Sequence, residues 1–157
     1  MSPLPYTYEF ASATKRINSH NEYTRALRRE IRAQRRANRG RGHSLPGLTV
    51  AETKILERIG TRVSISEGTT IARSGDIGQE AFVLAKGGLE VRRGGLYLAT
   101  LRPGDLAGET AILTQTLRNA DVVATEAAEV VVLTPSELRS AIELIPSLGS
   151  QAASRVA

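Results

Sequence analysis

From residue 44 onward the sequence predicts a mainly β fold, an antiparallel barrel or sandwich with flanking helices, and ahead of it an arginine-rich α-helix. Three observations carry this. Apolar residues recur at every second position in short runs, as at Val63 and Ile65 or Leu89 and Val91. Turn residues punctuate the runs at Glu67-Gly68, Gly75-Asp76, Gly87-Gly88 and Gly94-Gly95. Helical spacing is confined to the ends of this segment and one brief stretch within it. Many short strands so spaced are the pattern of an all-β barrel or sandwich.

Taken in order, Thr49 and Glu52 form a capping box, a hydroxyl and a carboxylate reciprocally bonding free amides at a helix start. The helix carries Val50, Ile55, Leu56 and Ile59, and Gly60 ends it. Strands are predicted at 63–65, 70–72, 81–85 and 89–91. Gly94-Gly95 reads as a type I′ hairpin, after which Leu96, Leu98 and Leu101 continue with Tyr97 on the other face. Strands at 120–124 and 129–133 complete the set. The segment closes helically over 136–145 and again from Ser147, with Pro146 as the break.

Residues 1–43 read as a separate basic arm, and 44–157 as the folded domain. The net charge of +5 divides unevenly: the arm holds ten Lys and Arg against three acids, and the remainder eleven against thirteen. Pro3 and Pro5 keep the start extended. Tyr6, Tyr8 and Phe10 alternate there, either docked on the domain or awaiting a partner. Ser19 and Glu22 form a capping box for a helix running to about Ala37. On its wheel Arg25, Arg28, Arg29, Arg32, Arg35, Arg36 and Arg39 share one side, and Arg41 follows in a Gly-rich hinge. Ala26, Ala33, Ala37, Leu27 and Ile31 lie opposite. Only Glu30 offsets these charges within the helix body, so the like-charged face calls for an anion. Arginine's planar fork suits phosphate. RNA or DNA is the expected partner, ahead of an anionic membrane surface or an acidic protein.

Other classes are disfavoured. Cysteine is absent, which excludes disulfides and cysteine metal sites. No apolar run reaches membrane-spanning length, and residues 1–10 lack the pattern of a secretory signal, so the cytoplasm is the expected location. His20 and His43 are solvated polar residues by default. No nucleophile–base pair is visible, so catalysis is not expected.

The segment 101–124, LRPGDLAGETAILTQTLRNADVVA, breaks the strand pattern. Residues 108–113 read as one or two helical turns, whose first amides stand free to meet an anion. Arg118 complements a phosphate there, and Glu109 can accept from a sugar hydroxyl. On spacing alone, a mutual Glu109–Arg118 salt bridge capping the turn fits equally well.

This segment resembles the phosphate-binding cassette of the cyclic nucleotide-binding domain family, in outline Phe-Gly-Glu-x-Ala-Leu, five residues, then Arg-x-Ala. Here it stands as Ala107-Gly108-Glu109-Thr110-Ala111-Ile112-Leu113 and then Arg118-Asn119-Ala120. Gly68, Gly75-Asp76, Phe82, Gly87 and Gly104-Asp105 fall where the family has barrel turns and a core aromatic. The resemblance implies a jelly-roll β-barrel that binds a cyclic nucleotide, cAMP ahead of cGMP. It implies that Glu109 takes the ribose 2′-hydroxyl and Arg118 the cyclic phosphate. The backbone around Gly108, Thr110 and Ala111, and at Asn119 and Ala120, would add donors. Ala107 stands in place of the usual Phe, Thr110 in place of an aliphatic and Asn119 in place of a smaller residue. With the sequence ending at Ala157, no DNA-reading domain is expected after the barrel. A sensor or adaptor follows from this resemblance. The alternative is an accessory subunit of a large assembly, a ribosome-bound factor or virion component, with a vestigial pocket.

Overall fold

The computed structural model describes residues 44–156. The helix expected over residues 19–37 and the arginines from Arg25 to Arg41 lie outside the described residues.

The described chain runs α1 (Val50–Ile59), β1 (Thr61–Ile65), β2 (Thr70–Ala72), β3 (Ala81–Lys86), β4 (Leu89–Arg93), β5 (Leu96–Leu101) and β6 (Leu106–Ala107). The short α2 (Glu109–Leu113) follows, then β7 (Asp121–Ala124), β8 (Ala128–Leu133), α3 (Pro135–Leu144) and α4 (Pro146–Val156). Two antiparallel four-stranded sheets result, in the orders β1-β8-β3-β6 and β2-β7-β4-β5. This is the predicted jelly roll.

The first sheet is buried on both faces, which explains why residues 81–85 are uniformly apolar rather than alternating. Phe82 and Leu84 of β3, with Val130 and Val132 of β8, point between the sheets and meet Ile71, Leu89 and Val122. Ala81 and Val83, with Val131 and Leu133, point the other way and meet Leu56, Leu138 and Leu148 of the helices and Ile145 at the junction of the last two. Each such large side chain removed from water contributes roughly 1.5–3 kcal/mol. The helices are therefore fixed to the sheet through a second core.

Local signals place the helix ends. Both bonds of the Thr49–Glu52 capping box form. A second box, Thr134 with Glu137, starts α3 at Pro135. That start sits one residue before the one expected, and Pro146 opens α4 rather than merely separating two helices. Gly94 and Gly95 both take positive φ, at 57° and 78°, as a type I′ turn requires.

The apolar start of β5 stays outside the core: Leu96, Tyr97 and Leu98 are 72%, 60% and 47% exposed. β5 is the edge of its sheet. Among the described residues no second layer covers its outer face, and only Leu101 at its end is buried.

Candidate functional site

Between β6 and β7 the chain leaves the sheets to form α2 and the loop that carries Arg118. Gly108 is the N-cap, at φ 80°, and supplies no side-chain cap. A Cβ there would stand 2.7 Å from Arg118 Nη1 and 3.0 Å from the Glu80 carbonyl oxygen, so the position has room for glycine alone. The backbone of Arg118 is tied to the turn after β2: its amide donates to the Asp76 carbonyl at 2.8 Å, and its carbonyl accepts from Gly75 at 2.8 Å. The Gly75-Asp76 turn thus sets where Arg118 leaves the chain.

A cavity of about 230 Å³ opens beside α2. Gly108, Glu109, Thr110 and Ala111 line one side, and Arg118, Asn119 and Ala120 another. All seven residues singled out in the sequence therefore meet at one pocket. Ala72, Val91, Ala99, Leu101 and Val122 form an apolar wall, and Ala107 and Arg155 complete the lining. Ala107 pairs in register with Phe82 of the neighbouring strand.

The mutual Glu109–Arg118 salt bridge does not form. Each takes a different partner. Glu109, 1% exposed, receives Arg155 Nη1 at 3.0 Å, and the same nitrogen donates to the Leu106 carbonyl. Gln151 strengthens this docking of α4, accepting from the Leu106 amide at 2.9 Å and donating to the Gly104 carbonyl at 3.0 Å. Arg118, 4% exposed, donates to the Glu80 carbonyl at 2.8 Å and to the Gly108 carbonyl at 3.3 Å. Its guanidinium lies over the Phe82 ring, 5.6 Å from the centroid. Behind it sits the Glu80 carboxylate, 3.6 Å from Nη2.

Two opposite shifts follow from this burial. Burial lowers the Arg118 pKa, opposed by Glu80, Asp76 and Glu109. Burial also raises the Glu80 carboxyl to about 7, with Arg118 pulling it back only in part. Asn119 is exposed, and its carbonyl accepts from Arg93 Nε at 2.8 Å, which fixes the loop against β4.

Sequence reasoning passed over Glu80 and Arg155. Glu80 had a weak signal, an acid immediately before the apolar run of β3. Arg155 had none, since it reaches Glu109 across 46 positions through the docking of α4. Among the described residues no cluster of His, Cys, Asp and Glu could hold a metal ion. No described helix is long and apolar enough to cross a membrane.

Comparison with known proteins gives a consistent picture. The family model described as cyclic nucleotide-binding domain matches residues 62–144, just over half of the chain. The catabolite activator protein of Thermus thermophilus is 30% identical, with 70% of this chain and 54% of that one covered at a TM-score of 0.59. The regulatory domain of Toxoplasma gondii PKA, solved with cAMP, is 21% identical, with 70% and 44% covered at 0.57. The N-terminal domain of a Streptomyces coelicolor transcriptional regulator is 20% identical, with 66% and 77% covered at 0.52. The last two bear on the fold alone. The chain spans about half the length of the first two.

Proposed function

The chain belongs to the cyclic nucleotide-binding domain family, and on that premise we propose that it is a non-enzymatic cytoplasmic sensor or adaptor that binds a cyclic nucleotide, cAMP ahead of cGMP. In this reading residues 44–157 are the sensing domain and residues 1–43 an arm for a polyanion. Arg118 takes the cyclic phosphate and Glu109 accepts from the ribose 2′-hydroxyl. The backbone of Gly108, Thr110, Ala111, Asn119 and Ala120 supplies further donors, and the wall of Val91, Ala99 and Leu101 receives the apolar part of the ligand. One observation supports it above the others: a buried guanidinium and a buried carboxylate flank the same small helix and line the same pocket.

Calorimetric titration of the full chain with cAMP and cGMP is the test. Heat that saturates at micromolar nucleotide, earlier for cAMP, is the expected result. No heat from either at high micromolar concentration would overturn the reading. It would leave an accessory subunit of a larger assembly, a role favoured by one fact: both charges already have internal partners, Arg155 for Glu109 and Glu80 for Arg118.

The arm makes its own prediction. Arg25, Arg28, Arg29, Arg32, Arg35, Arg36, Arg39 and Arg41 would contact phosphates of RNA or DNA. Affinity for a nucleic acid should then fall steeply with salt, the logarithmic slope being roughly −0.7 to −0.9 per phosphate contacted. Filter binding from low to physiological salt measures it, and a flat response would point instead to the apolar side of the arm.

A further inference from the structure

Glu80 stands directly before β3 and, unlike Arg118, does not line the pocket. It is 4% exposed, and among the described residues neither carboxylate oxygen has a hydrogen-bond partner. The Arg118 guanidinium at 3.6 Å is too distant for a hydrogen bond, yet it donates to the carbonyl of the same residue at 2.8 Å. The backbone of Glu80 therefore aims Arg118, while its side chain sets the charge behind it.

Resting on the reading of Arg118 as the phosphate ligand, we propose that Glu80 is a positioning residue that makes anion capture proton-linked. When a phosphate arrives on the pocket side of the guanidinium, the carboxylate on the other side takes up a proton from solvent.

The argument is one of charge. A single buried cation cannot compensate two anions in a site with little water, and the like charges raise one another's proton affinity. The phosphodiester stays ionised at neutral pH, so the carboxylate must yield. It is already poised to do so, because burial lifts it to about 7 in the free chain. The surrounding charges do not relieve it. Asp76, from the turn after β2, and Glu109, at the start of α2, both act on Arg118 and compete for the same cation. Arg155 of α4 is engaged by Glu109. Arg118 is the charge that acts on Glu80 itself. The complex then holds more protons than the free chain, and affinity is greatest below pH 7 and falls as pH rises through it.

The full chain is titrated with cAMP at pH 6, 7 and 8, and at pH 7 in two buffers of different ionisation heat. For a rise of about one pKa unit in the complex, affinity should fall about fivefold from pH 6 to pH 8. The apparent heat should depend on the buffer, reporting fractional proton uptake. Glu80→Gln should bind with a flat profile and no buffer dependence, and more tightly than wild type at pH 8. Wild-type binding that is flat with pH and buffer overturns the proposal and leaves nucleotide binding intact. A profile unchanged in Glu80→Gln also overturns it, by locating the proton elsewhere. No heat from wild type at any pH removes both the binding reading and the proposal.

Discussion

Arg118→Ala is expected to abolish cyclic nucleotide binding. Removing the buried cation proposed as the phosphate ligand should cost about 3–5 kcal/mol, a hundredfold or more in affinity. Calorimetry on wild type and variant side by side measures this, and a variant that binds as wild type would show that the phosphate is held elsewhere. The substitution also exposes what Glu80 does to stability. Its folded-state pKa lies above the ordinary 4.5, so its favourable contribution is full below pH 4.5 and is lost as pH rises through about 7. Without Arg118 nothing pulls that value down, and the loss moves to a higher pH and deepens. The variant loses the Arg118 hydrogen bonds at every pH, and its melting deficit against wild type should be larger at pH 8 than at pH 6. Equal deficits at both values would mean that the carboxylate is not the source.

The second large effect concerns the backbone. Gly104→Ala should destabilise the domain by about 3 kcal/mol or more, lowering Tm by roughly 10 °C. Gly104 has φ 95°, and a Cβ there would lie 2.0 Å from the Pro46 carbonyl oxygen. Neither side can yield cheaply. The Gly104 amide donates to Leu84 at 2.8 Å, and its carbonyl accepts from Gln151. Gly68→Ala is the comparison, with φ 83° but nothing within 4 Å of the added atom. It carries backbone strain without the collision, for an expected loss of about 1 kcal/mol. Thermal melts of the two variants separate the terms, and equal losses would deny the collision a role.

The difference between what could and could not be read from the residues has a physical basis. Turns were legible because glycines at positions 68, 75, 87, 94, 95 and 104 all take positive φ, and that demand is written in the residue itself. The Thr49–Glu52 capping box was legible as a pair three residues apart, whereas the Thr134–Glu137 box of the same form went unread. The cassette was legible as a local string. The partners of its two charges were not, because Arg155 and Glu80 arrive by tertiary docking over 46 and 38 positions. The strand β5 was legible, but which of its faces is covered was not, because alternation records two faces without saying which one is covered. Leu96 and Leu98 are apolar on a side of an edge strand that no described residue covers.

The contact between Arg155 and Glu109 has a thermodynamic corollary. A ligand hydroxyl drawing on the Glu109 carboxylate competes for the acceptor that anchors the last turn of α4. Ligand occupancy and helix docking are then two equilibria sharing one group, and linkage makes their influence reciprocal. If a ligand weakens the docking by some factor, whatever holds the helix down weakens the ligand by that same factor. On the proposed reading the pocket's affinity is a property of the barrel and the helix together, and tethering or loading α4 would retune it without changing any residue assigned to the nucleotide.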